Sequence, residues 1–180
     1  MRIIEGTVDE VTEYQRRVGR EAPSLHEDDL PSDPGTRPGE SVTDPEDEEG
    51  WFAVQQFIYS RARDARTTKR VLDYLNRAWE LDVTIEVGES ERSRDGATDY
   101  LMVRDSGPRR FGAVAYVHPA SGRLTLRLQP QDVAGLQDFH IKERNVRPGH
   151  QYAILCPLAD DEAVQVAIEL TKRALDKVRK

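Results

Sequence analysis

The sequence predicts an α+β fold: an antiparallel sheet of four to six strands with helices packed on one face, and a long C-terminal helix. Apolar residues recur at helical spacing before residue 80 and again after residue 160, whereas they alternate every second residue in the middle of the chain. Two of the apolar segments, residues 111–117 and 123–129, are separated by five residues that include proline and glycine. Such a connection is typical of an antiparallel hairpin.

The N-terminal part of the chain divides into a small element and a linker. Residues 1–19 predict a short strand followed by a helix, because Thr7 and Glu10 form a capping box in front of apolar residues at helical spacing. Residues 20–44 contain four prolines among serines and acids, and too few apolar residues to offset the entropy of ordering. We expect an acidic, proline-rich flexible linker there and the α+β domain in residues 45–180.

Two helical patterns open the predicted domain. Asp44 and Pro45 are typical of a helix start, and an apolar face follows from Trp51. A second pattern begins at residue 67 or 68, after an arginine-rich polar stretch. The two patterns fit either one bent helix or two helices.

The middle of the chain predicts strands. Residues 83–87 alternate apolar and polar side chains, and residues 100–103 form a short apolar run. Residues 111–117 are almost continuously apolar, which favours burial on both faces of the sheet. In residues 123–129 three leucines alternate with polar residues, and residues 130–147 show no regular pattern.

The chain ends with one more strand and a helix. Tyr152, Ile154 and Cys156 alternate in an extended pattern that Pro157 stops. Acidic residues then begin a long helix whose last turns carry lysine and arginine, which complements the helix dipole at both ends.

Charge is unevenly distributed along the chain. The net charge is −7, yet residues 21–50 contain eleven acidic residues and one basic residue, whereas residues 51–180 contain 18 acidic and 21 basic residues. The acidic segment is either a solvated spacer or a strip that covers a basic surface until a partner displaces it. Arginine outnumbers lysine 21 to 5, which reflects either a GC-rich genome or recognition of planar anions.

The location is predicted from what the chain lacks. No apolar run approaches the ~18 residues that span a bilayer, and the first five residues do not resemble a signal peptide. A single cysteine, Cys156, excludes an internal disulfide and suits a reducing compartment. We expect a cytoplasmic protein with no membrane partner.

The common enzymatic motifs are missing from the sequence. It contains no dinucleotide-binding GxGxxG, no phosphate-binding GxxxxGK[ST], no HExxH and no G-x-S-x-G. One cysteine is too few for the usual structural zinc site. These absences favour a binding protein over an enzyme, and no cofactor or metal is predicted.

The densest polar segment is residues 138–150. Its two histidines and central asparagine faintly resemble a His-Asn-His nuclease, in which one histidine activates water and others hold a metal. Pro148 and Gly149 stand where that motif requires a helix, so the segment also fits a surface loop. A metal-dependent nuclease or hydrolase using this loop remains an alternative, with these candidate residues: His140, Lys142, Arg144 and His150.

A basic segment lies where the two N-terminal helical patterns meet. Its candidate nucleic-acid-binding residues are Arg61, Arg63, Arg66, Lys69 and Arg70. Joined in space with Arg109, Arg110, Arg123 and Arg127, they could bind phosphate backbones without sequence specificity. Interleaved acids such as Asp64 and Asp73 also fit an ordinary solvated helix surface.

The order of these elements resembles a known bacterial family. An aromatic-led strand from Phe111, a leucine-rich strand from Leu124, a loop with Gly149 and His150, an apolar strand and an acid-capped helix follow one another. Residues 98–179 are therefore similar in plan to double-wing domains of the MmcQ/YjbR type and to related bacterial domains, some of them fused to nucleases. The resemblance implies an α+β fold and, from shape, DNA binding; it implies no catalytic residue.

We therefore expect a non-catalytic bacterial binding protein that acts on nucleic acid through its arginine-rich segment. The alternative is a protein–protein interaction or regulatory module that uses the acidic linker and the N-terminal element. The hydrolase described above is a second alternative, and the oligomeric state stays open.

Overall fold

The computed structural model describes residues 41–42, 48–88, 99–107, 112–136 and 138–180, with only the backbone given for residues 41–42. The helices are α1 (Glu48–Arg61), α2 (Ala65–Trp79) and α3 (Asp161–Arg179). The strands are β1 (Ser41–Val42), β2 (Val83–Gly88), β3 (Tyr100–Asp105), β4 (Ala115–His118), β5 (Arg123–Leu126), β6 (Lys142–Glu143) and β7 (Ile154–Pro157). A short 3-10 helix spans Pro130–Asp132.

Acidic residues define how the helices begin. The Asp64 side chain accepts a hydrogen bond from the Thr67 backbone N–H at 2.7 Å and so caps α2. Asp160 caps α3 in the same way, by accepting from the Ala163 N–H at 2.8 Å. The N-terminal helical patterns are thus two helices joined by a three-residue connection, residues 62–64.

The sheet is antiparallel throughout and has the order β1-β2-β3-β4-β5-β7-β6. The predicted hairpin is β4–β5, in which His118 pairs with Arg123 and Ala115 pairs with Leu126. Gly122 occupies the left-handed region with φ of 62°, which a side chain would make strained, and so allows the tight turn. The α+β fold class is confirmed.

One face of the sheet packs against all three helices. The fully buried core combines strand residues such as Ile85, Leu101 and Leu124 with Ile58 of α1 and Leu175 of α3. Alternation along the strands places every second residue on this face. The helices therefore share one side of the sheet, as the sequence predicts.

The structure adds two elements that the sequence does not show. With the two-residue strands β1 and β6 at its edges, the sheet has seven strands among the described residues, compared with the four to six expected. β1 lies within the predicted linker, where it pairs with β2, and β6 lies in the segment without regular pattern. The predicted element of residues 1–19, the remainder of the linker up to residue 40 and the predicted helix start at residues 44–45 fall outside the described residues.

None of the helices in the described part of the chain combines the length and the apolar character needed to cross a membrane.

Candidate functional site

The basic residues predicted to bind nucleic acid lie where α1 ends and α2 begins. Arg61 is the last residue of α1, Arg63 is in the connection, and Arg66, Lys69 and Arg70 lie in the first turns of α2. We call residues 61–70 the α1–α2 corner. Because the connection has only three residues, the five cations are held close together by the chain itself.

Two of the five cations, Arg61 and Arg70, are half-buried, and Arg61 has an acidic partner within the fold. The Arg61 Nε donates to Asp99 Oδ2 at 2.8 Å, and the Asp99 side chain is only 5% exposed. The Arg61 guanidinium also lies over the Phe57 ring, 5.4 Å from its centroid. Arg70 is half-buried, and its charge contributes to lowering the pKa of Asp160, behind the Ala163 and His140 hydrogen bonds to that carboxylate. Arg61 is therefore engaged in holding the corner in place.

The other three cations face solvent. The Arg63 side chain is 68% exposed; its Nε lies 3.3 Å from the carboxylate of Asp64, which is 50% exposed, and also donates to Thr67 Oγ1 at 3.3 Å. Arg66 and Lys69 are exposed, and their side chains make no hydrogen bond or ion pair with any residue that the structure describes. Exposed salt bridges contribute only about 0–1 kcal/mol, so Arg63 can exchange its partner at little cost. These three side chains are available to a ligand.

The first turn of α2 carries an unusual charge for a helix N-terminus. α1 opens with Glu48 and Glu49, and α3 opens with Asp161 and Glu162, whereas the first turn of α2 has no acid. Arg66 instead places a positive charge beside the positive end of the helix dipole. The anion that is stabilising at this end of α2 is the carboxylate of the N-cap Asp64.

The other arginines that the sequence suggested as part of the basic surface are not on the helix side of the sheet where they are described. Arg123 and Arg127 alternate along the chain with the core leucines of β5, so they belong to the face of the sheet opposite the helices. The Arg127 Nη1 atom is buried without a hydrogen-bond partner, which nothing in the described residues explains. Arg109 and Arg110 lie outside the described residues.

The face opposite the helices carries an aromatic layer that the sequence reasoning missed. Tyr116 packs against the Tyr100 ring at 5.3 Å and the Tyr152 ring at 5.0 Å between centroids, and all three rings are buried. Burial, together with the charges of Arg123 and Arg144, lowers the pKa of neighbouring His118 to about 4. This histidine is neutral at physiological pH. The nearly continuous apolar run of residues 111–117 was the available signal, since it indicates burial on both faces.

His140, the first residue of the alternative polar-loop site, is held between two carboxylates. Its Nδ1 lies 2.9 Å from Asp138 Oδ1, its Nε2 lies 3.2 Å from the Asp160 carboxylate, and the residue is 3% exposed. Burial lowers the pKa of His140, but the hydrogen bonds and charges of the two aspartates outweigh burial and raise it overall. Because both ring nitrogens are engaged, His140 fastens the loop to the N-cap of α3.

The other members of that alternative site have separate roles. Lys142 is exposed on the edge strand β6, and Arg144 donates from Nη1 to the Tyr152 carbonyl at 2.7 Å. His150 Nδ1 accepts a hydrogen bond from the Tyr152 backbone N–H at 3.1 Å. Among the described residues, no three His, Cys, Asp or Glu side chains form a group that could hold a metal ion. The arrangement gives no support to paired metal-binding roles for His140 and His150.

Comparisons with protein-family models, with curated proteins and with solved structures find no match to this chain. The similarity to double-wing domains therefore stays a prediction. The protein-interaction alternative also stays a prediction, because it depends on residues 1–44, of which the structure describes only the backbone of residues 41–42.

Proposed function

We propose that this protein is a non-catalytic binding protein that holds nucleic acid at the α1–α2 corner, with Arg63, Arg66 and Lys69 in contact with the phosphates. Arg61 supports the corner through Asp99 rather than by touching the ligand, and Arg70 is half-buried.

The observation that carries the proposal is the exposure of three cations within seven residues, of which only Arg63 has an acidic partner, the exposed N-cap Asp64. α2 has one acid at this end, its N-cap Asp64, and Arg66 lies in its first turn, where α1 and α3 carry acids. Because Asp64 already caps α2, a phosphate at the α1–α2 corner would be held by the exposed cationic side chains.

The test is the salt dependence of binding. Fluorescence anisotropy with a labelled oligonucleotide should show binding at low ionic strength. For three phosphate contacts, affinity should fall about 20- to 40-fold between about 50 mM and about 200 mM salt. The triple substitution Arg63→Ala, Arg66→Ala and Lys69→Ala should abolish most of the binding and flatten the salt dependence.

A matched control removes the same charge elsewhere. Lys142, Lys172 and Lys180 are exposed and lie outside the α1–α2 corner, so their triple substitution by alanine should leave the affinity close to wild type. Equal losses in the two triple variants would mean that net charge alone drives binding. Absence of binding by the wild-type protein at low salt would refute the proposal, because a phosphate-driven interaction is strongest there.

A further inference from the structure

The outer face of α1 presents two exposed aromatic side chains. Phe52 and Tyr59 are each 59% exposed, whereas Val54 and Ile58 on the inner face are fully buried. The two aromatics are seven residues apart, which is two helical turns, so they lie on the same side of α1 about 10 Å apart along its axis. Among the described residues the only other exposed large apolar side chain is Phe139, whose ring lies 3.8 Å from the His140 ring.

The exposed cations of the α1–α2 corner follow this aromatic face directly along the chain. Tyr59 lies in the last turn of α1, and the exposed Arg63 and Arg66 follow within seven residues. The acids of α1, Glu48 and Glu49, precede Phe52 at the far end of the helix. Two exposed aromatic rings are therefore followed within a few residues by a group of exposed positive charges.

Exposed aromatics beside cations are the combination that binds single-stranded nucleic acid. Each base offers a π-face to an aromatic ring, while the phosphates lie along a positive groove. In a duplex those faces are stacked against neighbouring base pairs, so only the backbone is accessible to the cations. Two rings about 10 Å apart, roughly three base-stacking steps of about 3.4 Å, can each take a base of one short strand.

We infer that the α1 face makes the α1–α2 corner selective for single-stranded nucleic acid, with bases stacking on Phe52 and Tyr59 and the backbone crossing Arg63 and Arg66. This inference rests on the proposed function and specifies the form of nucleic acid that it binds.

The test compares single-stranded and double-stranded oligonucleotides of the same sequence by fluorescence anisotropy at fixed low salt. The wild-type protein should bind the single strand more tightly than the duplex. Phe52→Ala and Tyr59→Ala should each weaken single-strand binding about tenfold and leave duplex binding unchanged. Tyr59→Phe should retain the affinity because it keeps the ring. Both positions are exposed and alanine favours helix, so the variants should fold, which circular dichroism can check.

Phe139→Ala is the matched control, because it removes an exposed aromatic ring outside α1. Its single-strand affinity should equal that of the wild type. If the wild-type protein binds the duplex as tightly as the single strand, or if the α1 variants bind the single strand normally, the inference is wrong while salt-dependent binding still supports the proposed function.

If the wild-type protein does not bind either oligonucleotide at low salt, the proposed function itself is refuted. A dimer in size-exclusion chromatography that Phe52→Ala and Tyr59→Ala convert to monomer would assign the aromatic face to self-association and would also overturn the inference.

Discussion

A buried hydrogen bond between α2 and α3 provides the most quantitative test of the fold. The Tyr74 hydroxyl lies 2.8 Å from Thr171 Oγ1, and both residues are fully buried. The Thr171 hydroxyl donates its own hydrogen to the Ala167 carbonyl at 2.8 Å. The bond between the helices therefore runs from the Tyr74 hydroxyl as donor to the Thr171 oxygen as acceptor.

The direction of this bond predicts unequal effects of the two single substitutions. Tyr74→Phe removes the donor but leaves the Thr171 hydroxyl bonded to Ala167, so it should cost about 0.5–1.5 kcal/mol of unfolding free energy. Thr171→Val preserves shape but leaves the Tyr74 hydroxyl buried without an acceptor, so it should cost about 1–3 kcal/mol. In the double variant no buried hydroxyl is left unpaired, so its cost should be smaller than the sum of the single costs.

Urea unfolding followed by tryptophan fluorescence can measure these free energies. Trp51 of α1 and Trp79 of α2 pack with ring centroids 4.4 Å apart, so their emission reports on the helix layer. In a protein of this size, each kcal/mol should also lower the melting temperature by about 2–4 °C. Additive costs in the double variant, or a Thr171→Val cost no larger than that of Tyr74→Phe, would refute the assigned donor and acceptor.

Three further predictions concern a turn, a thiol and a histidine. Gly122→Ala should cost about 1–2 kcal/mol in urea unfolding, because the left-handed backbone strains a side chain that would also lie 3.1 Å from a threonine methyl; a neutral substitution would contradict this. Burial, with the charges of Asp138 and Asp160, raises the pKa of the Cys156 thiol to about 12. A thiol reagent should therefore label Cys156 only after unfolding, and rapid labelling of the native protein would contradict this prediction. The pKa of His140 is higher in the folded than in the unfolded state, so its charged form stabilises the fold. This stabilisation is complete below the unfolded pKa of about 6.5 and is lost as the pH rises through the folded pKa. His140→Gln should therefore cost more at pH 6 than at pH 9, and an equal cost at both pH values would show that the charged form adds nothing.

Most of the fold was predictable because its long elements carry strong periodicity. The β4–β5 hairpin combines alternating leucines with a turn that contains proline and glycine, and α3 combines an apolar stripe with charges matched to its dipole. The edge strands β1 and β6 were not predictable. Each has two residues, too few to show a period, and each joins the sheet through backbone pairing that does not depend on its side chains.

The candidate site was predictable only where its members are neighbours in the chain. The α1–α2 corner was visible because five cations lie within ten residues. The partner of Arg61 is Asp99, which is 38 residues away, and His140 meets Asp160 across 20 residues. Tertiary packing brings such pairs together, and a single sequence shows no pattern that links them.

These distant pairs change how the arginines are interpreted. Arg61 and Arg63 are two residues apart, yet Arg61 ties the end of α1 to the buried Asp99, whereas Arg63 is 68% exposed. Removing Arg61 would leave a buried carboxylate without this guanidinium, and should therefore loosen the corner as well as reduce its charge. Removing Arg66 should reduce the charge alone. The number of arginines in this segment is therefore larger than the number that can bind a ligand. The available cations are those that have no acidic partner in the fold or only an exposed salt bridge.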